Sequence, residues 1–501
     1  MMGITFWVWL AVGIYIVLGF IIAIAARRRL RAGMSEFFLA NRKVGGFISA
    51  MTYSATTYSA FMMVGLAGLT YVGGVGALGF ELTYLCGLFL ALFFLPRFWL
   101  AGRKYGYITP MDLLSDRYQS KLVGATAAIL ALVFLVPYSG AQLMGIGFLM
   151  NGLSGGTIPV IVGIIVATCL AIAWSRIAGL RSIAWTDAFQ ALVMIVSSAA
   201  ILGLVIFKLG GFCSFFSQVE STHPDLLRVP SGGGMWNINM FVGLALPWFF
   251  FCISNPQVSQ RFFIPKSVKA MKQMLGGFLI FGFSYTLISV LWGFSTKLLV
   301  PGLEKADMAT PMLLALPIIP KALALIVMIG IMAAAISTID SILLTLSSVW
   351  ARDIHKGLIN PKVSEARELR VGQWVIPTMA IVAFVFAWQV SSKTGLEFMI
   401  ATLSAASSAG LLMIVPSIFG AFYWRRSTAM GAIVSSIVGA IIVLTLQVAG
   451  YKPLGWWPGT WGILACVILF IAVSLATKPP LEKAEEFMGY LKEKLALGNF
   501  V

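Results

Sequence analysis

Histidine is almost absent from this chain: of 501 residues only His223 and His355 carry an imidazole, both in predicted loops. A His-based metal centre or a buried acid–base pair is therefore not expected, which argues against a polytopic membrane enzyme. Cysteine is scarce too. Cys86, Cys169, Cys213, Cys252 and Cys466 are scattered, with no CxxC and no metal spacing, and read as packing residues. No Gly-rich loop carries the Lys of a phosphate cradle, so nothing points to ATP hydrolysis. Charge is thin, at 11% of residues against 59% hydrophobic, with a mean hydropathy of +0.94. That balance excludes an ordinary soluble globular protein.

What the chain has instead is apolar segments of bilayer length. About thirteen satisfy the hydropathy criterion, near 5–26, 44–71, 75–97, 122–150, 157–174, 183–207, 236–257, 274–298, 321–350, 372–391, 396–424, 429–449 and 460–477. The expected protein is all-α and integral to the cell membrane, and no connection is long enough for a soluble domain. The net charge of +17 is a matter of topology: segments following the odd-numbered spans, with the C-terminal tail, hold 28 of the 35 Lys and Arg. The positive-inside rule then places the N-terminus outside and the C-terminus in the cytoplasm. It also makes membrane lipid, and not nucleic acid, the partner of the basic residues. No obligate protein partner is evident, and the tail, KPPLEKAEEFMGYLKEKLALGNFV, reads as an amphipathic helix on the cytoplasmic surface.

Within this apolar background the span VMIGIMAAAISTIDSILLTLSSVW carries a polar stripe. Ser337, Ser341, Thr345 and Ser348 follow at steps of four, four and three, so they share one helical face. Ala334, Ser337 and Thr338, at i, i+3 and i+4, set a carbonyl level with two hydroxyls, which suits a small, partly dehydrated cation. Ser and Thr also bond back to their own helix, but that reading leaves Asp340, a carboxylate deep in hydrocarbon, unexplained. Two other spans look interrupted. One has Ser54–Ala60, S-A-T-T-Y-S-A, at its centre; the other holds PWFFFCISNPQ, with Pro247 and Pro256. Unwound backbone at this depth persists only where it lines a protein cavity. Five spans separate the two, the trace of a five-helix unit repeated with inverted topology.

These segments resemble a family. AAAISTIDSILLTLSS with ARDIHK, SATTYSAFMMVGLAG, RSIAWTDAFQALVMI, NPQVSQRFFIPKSVKAM and YWRRSTAMGAIV are similar to the sodium/solute symporters, which include proline, pantothenate, sialic acid and sugar transporters. The likeness runs from about residue 5 to 477. It implies a leucine-transporter-like fold: an extra helix and loop (1–43), a first repeat (44–210), an extracytoplasmic loop (211–235), a second repeat (236–424), two further helices (425–477) and the tail (478–501). It implies sodium as the coupling ion, held by carbonyls of Ala55, Tyr58 and Ala334 and hydroxyls of Ser337 and Thr338, all oxygen ligands as a hard cation requires. The matching second cation site is Asp187, Ser337, Asp340 and Ser341, where Asp340 departs from the usual hydroxyl and suits either sodium or proton exchange.

Against its cation role Asp187 has two structural readings, as a helix cap or as a partner of Arg181. Glu81 is expected near the solute, to bind an amino group, carry a proton or bridge to another helix. Tyr138, Gln142, Trp248 and Phe249 are expected to face the cavity, and Thr57 and Ser59 to hydrogen-bond a solute carboxylate. The expected activity is sodium-coupled symport of a small monocarboxylate, an amino acid such as proline, or pantothenate. A proton-coupled symporter and a transport-like sensor are the alternatives.

Overall fold

The computed structural model describes residues 3–27, 33–230, 234–392 and 399–496, and these form helices and their connections. In chain order the main helices are α1 (Ile4–Arg27), α2 (Gly46–Thr57), α3 (Phe61–Gly73), α4 (Gly76–Tyr105), α5 (Lys121–Leu153), α6 (Val160–Ile177) and α7 (Ile183–Lys208). There follow α8 (Ile238–Phe249), α9 (Val268–Leu299), α10 (Lys321–Val349), α11 (Glu365–Ser391), α12 (Met399–Tyr423), α13 (Ala429–Val448), α14 (Pro458–Ala476) and α15 (Leu481–Ala496). Among the described residues eleven helices are long and apolar enough to cross a bilayer, and the pair α2–α3, bent by 54°, makes a twelfth. α8 is apolar but shorter.

Burial orders these helices by depth. The apolar stretch of α12 is 89% buried and that of α10 72%, against 17% for α1. α10 is central, packed on α2, α5, α6 and α7. A central helix cannot be sided for lipid, which is why its hydroxyls face protein.

Both expected interruptions are present, with related backbones. α2 stops at Thr57, Tyr58 is extended (φ −90°, ψ 100°), and the chain resumes in a π-helical turn over Phe61–Leu66. The wider turn disturbs the regular ladder, and the Met62 and Met63 carbonyls accept the hydroxyls of Ser289 and Thr310. After α8, Phe250 breaks the helix, one turn follows (Phe251–Ser254), and Asn255 is extended (φ −91°, ψ 111°) before Pro256 opens the next turn. Proline explains the second break: it excludes the helical conformation from Asn255 and sits at a first helical position, where its missing N–H costs nothing. The first break has no proline. There the run Thr56, Thr57, Tyr58, Ser59 supplies β-branched, aromatic and hydroxyl residues that hold helix poorly. A parallel bridge joins Val44, just ahead of α2, to Pro265, just beyond the second break.

α6 and α7 meet without a loop. Gly179 makes the turn alone (φ 56°, ψ −163°), and a Cβ there would press on the Phe37 carbonyl at 2.7 Å.

The tail departs from expectation. The apolar stripe of α15, Ala484, Phe487 and Leu491, is buried against protein and not turned to a lipid surface. Phe487 stacks on Tyr105 at 5.9 Å, and Glu486 accepts from Lys104 (3.1 Å) and the Tyr105 hydroxyl (2.8 Å). That hydroxyl and then Lys483 pull the Glu486 carboxyl down to about 2. An aromatic partner and matched charges at the end of α4 make the protein surface the better solvent for this face than headgroups.

Candidate ion and solute site

The upper half of α10 meets the end of α2. Because α2 terminates at Thr57, the Ala55 carbonyl is one of the last four that a helix leaves without an internal partner. The Thr338 hydroxyl is 3.0 Å from it and 3.1 Å from the Ala334 carbonyl on its own helix. One hydroxyl proton serves one acceptor at a time, so this triangle holds more oxygen lone pairs than hydrogens to satisfy them. Ser337, one residue earlier, donates to Asp187. Four of the five oxygens expected around sodium therefore lie on two facing helix segments, and the fifth residue, Tyr58, is the extended one at the break.

Asp187, about one turn into α7, is fully buried and accepts from Thr52 on α2 (2.6 Å) and from Ser337 on α10, so one carboxylate links three helices. The side chain of Arg181, its other expected partner, lies outside the described residues. The other members of the expected second site go elsewhere. Asp340 accepts from Ser175 on α6 (2.8 Å). Ser341 contacts Thr56 (3.0 Å) and accepts from Arg261 Nη2 (2.7 Å). Among the described residues Asp187, Asp340 and Ser341 share no hydrogen-bond partner. The physical reason is Arg261: a guanidinium, 0% exposed, already occupies the neighbourhood of Ser341.

The lower half of the stripe serves the second break. Thr345 donates to Gln260 Oε1 (2.8 Å), and Gln260 Nε2 donates to Ser348 (3.0 Å) and to the Ile108 carbonyl (2.9 Å). Among the described residues Arg261 Nε and Nη1 have no hydrogen-bond partner. Sequence reasoning gave no role to Gln260, Arg261, Ser175, Thr52 or Thr56. The one available signal was the QR pair just past the break, polar residues beside a segment singled out for unwound backbone.

The expected solute residues gather around the first break, with two exceptions. Gln142 Oε1 accepts from the Ala60 amide (2.9 Å), Ser59 accepts from the Phe61 amide (3.2 Å), and Tyr138 lies 3.4 Å from the Ser59 hydroxyl. Trp248 stacks between Phe61 (4.9 Å) and Phe251 (4.8 Å). Glu81 is buried on the same helix as Phe80 and Tyr84, and among the described residues its Oε2 has no hydrogen-bond partner. Thr57 is the first exception, because its hydroxyl donates back to the Tyr53 carbonyl (2.7 Å) and offers no proton to a solute. Phe249 is the second. It is half-buried and packs edge-on against Phe250, while the break at Phe250 turns Phe251 inward to the place expected of it. A ring supports this arrangement: Tyr58 packs so close to α9 that a Cβ at Gly282 would overlap its hydroxyl.

Comparison with known proteins follows the same lines. The chain is 26% identical over 469 residues to the sodium/pantothenate symporter of Escherichia coli (strain K12), covering 91% of this chain and 94% of that one. It is 24% identical over 460 residues to the high-affinity proline transporter PutP of Bacillus subtilis (strain 168), covering 90% and 94%. Its fold matches a sodium-coupled sialic acid symporter solved in a substrate-bound outward-open state, with a TM-score of 0.76 at 19% identity over 94% of this chain and 98% of the other. Residues 37–439 match the sodium:solute symporter family, and the chain belongs to that family.

Proposed function

We propose that this protein carries a small monocarboxylate across the cell membrane, with an amino acid such as proline, or pantothenate, as close variants. It is a multi-pass membrane protein that couples sodium to the symport of small solutes. The observation that carries the site assignment is the Thr338 hydroxyl held between the Ala55 and Ala334 carbonyls, which brings the broken helix and the stripe helix to a common set of hard oxygen ligands. Sodium there draws the end of α2 to α10, with Ser337 as a further ligand and the Asp187 charge behind it. Since α2 leads into the break that faces the solute, an ion that fixes α2 also fixes the solute site. Linkage then requires solute to raise sodium affinity by the factor by which sodium raises solute affinity.

Support for the solute class comes from the first break, where Gln142, Ser59 and backbone amides stand beside an apolar wall, and from the pantothenate and proline transport of two relatives. Transport proceeds by alternating access, and the basic segments favour an N-terminus outside and a C-terminus in the cytoplasm. The test is solute uptake into proteoliposomes with sodium replaced by choline at constant pH. Uptake should fall to background; uptake that persists would move the coupling to protons.

A further inference from the structure

Away from the ion and solute sites, an apolar groove of about 470 Å³ runs between α12 and α14, walled by Val415, Phe419, Ile463, Val467 and Ile471. Its floor closes where Gly420, having no Cβ, lets the ring of Phe470 rest against α12. From Val415 to Tyr423 it follows α12 for about 12 Å. That is close to half of the roughly 30 Å hydrocarbon core, the depth of one leaflet. The inner end reaches Phe250, the residue at which α8 breaks, which meets Phe419 edge-on at 6.2 Å. At the outer end stand Tyr423 and Trp424, residue types that favour the membrane interface. The same two residues line an adjoining cavity of about 530 Å³, shared with Arg425 and Arg426 on the turn to α13 and with Leu481, Glu485 and Met488 of α15. A neighbouring hollow adds Arg97 and Lys492, so four cations face one acid. Arg425 and Glu485 pair at 3.3 Å, but both are more than half exposed and the pair contributes little. Arg426 donates to the Leu475 carbonyl (2.8 Å) and Arg97 to the Phe93 carbonyl (2.6 Å). Among the described residues neither of these, nor Lys492, pairs with a carboxylate.

We infer that this groove binds one anionic phospholipid, with the phosphate on Arg425 and Arg426 and an acyl chain lying between α12 and α14 as far as Phe250. Trough, aromatic collar and cations follow one another along the chain in the order of tail, interface and head in such a lipid. A free phosphate gains nothing from the trough, and a zwitterionic lipid brings its own cation and leaves the arginines unmatched. A second copy of this chain is poorly suited, because 35 Lys and Arg against 18 Asp and Glu make two basic faces repel. The head would bridge the turn between α12 and α13 to α15, whose other side is already held to α4 by Glu486. The tail would end at the second break, so occupancy is felt at one of the joints of the bundle.

The experiment is native mass spectrometry of the full-length protein in detergent, titrated with dioleoylphosphatidylglycerol, dioleoylphosphatidylcholine, dioleoylglycerol and the soluble head alone, glycerophosphoglycerol. One phosphatidylglycerol should bind at least about tenfold tighter than any of the other three. Arg425→Gln with Arg426→Gln should weaken it at least about tenfold, to the level of phosphatidylcholine. Val467→Trp, which fills the trough and leaves the cations in place, should weaken it as well. Arg367→Gln with Arg370→Gln, which removes two exposed cations at the start of α11, should leave it unchanged. Sodium-induced thermal stabilisation reports whether each variant is folded; if neither site variant is, the wild-type preference decides alone. Equal binding of phosphatidylglycerol and phosphatidylcholine, or no retained lipid, overturns the inference. So does phosphatidylglycerol binding that survives in both site variants, or that falls equally in the α11 control, the mark of diffuse surface charge. A head that binds as tightly as the whole lipid replaces it with a phosphate site, and a dimer mass lost in Val467→Trp replaces it with a second copy.

Discussion

The two halves of α10 carry the same kind of side chain and do different things with it. In the upper half Ser337 and Thr338 meet carbonyls and a carboxylate, all acceptors, from α2, from α7 and from α10 itself. In the lower half Ser341, Thr345 and Ser348 meet a guanidinium and an amide, Arg261 and Gln260, from beyond the second break. A hydroxyl is donor and acceptor at once, so its neighbours decide its use. An excess of acceptors leaves room for a cation, whereas a resident cation and a two-faced amide close the hydrogen bonding among protein groups. The lesson is that a polar stripe marks a helix as functional but does not say where along it the ion sits.

The sharpest way to break this comparison is to empty the upper half. Ser337→Ala with Thr338→Ala removes the two hydroxyls proposed as sodium ligands while keeping a good helix former at both positions. Half-saturating sodium should rise by about 100-fold or more, at about 1.5–3 kcal/mol per lost contact to a charge. Wild-type sodium dependence in a well-expressed double variant would exclude this site. The lower half should respond differently. Thr345→Val removes a hydrogen bond to Gln260, so it should lower thermal stability by about 1 kcal/mol and leave sodium affinity nearly alone. The smallest effect belongs to the boundary between the halves. Asp340 bonds to Ser175 and not to the groups that hold Asp187, so Asp340→Asn should change half-saturating sodium by no more than about threefold. A cycle with Asp187→Asn should be additive to within about 0.5 kcal/mol. Strong non-additivity would restore a cation shared by the two carboxylates.

Much of this was legible in the sequence because it rests on spacing. Apolar runs of bilayer length, hydroxyls at helical steps and two interrupted spans five apart need no tertiary information to be seen. Partners were harder. Asp187 looked like a residue near a helix end, and only the packing of α7 against both α2 and α10 makes it a bridge. Thr57 looked like a donor for the solute, but the Tyr53 carbonyl one turn back was nearer. Phe249 and Phe251 are alike in composition and context, and the helix break between them decides which ring turns inward. Arg261 was counted among the basic residues of a loop, because nothing local distinguishes an arginine that folds back into the bundle from one that stays in water. Contacts between distant segments set each of these outcomes, and a periodic pattern carries no record of them.

The single-residue turn at Gly179 has a mechanical consequence. It joins two stiff rods with no slack, and each rod is hydrogen-bonded to α10, through Ser175 to Asp340 on one limb and Asp187 to Ser337 on the other. A hairpin that cannot lengthen, clamped at two points to one shaft, behaves as a strut. Tilting or sliding α10 against α6 and α7 would have to tear one of these grips, so the three move as a single frame. Large displacement during a transport cycle then falls to the broken helices, the parts of the bundle that already have joints.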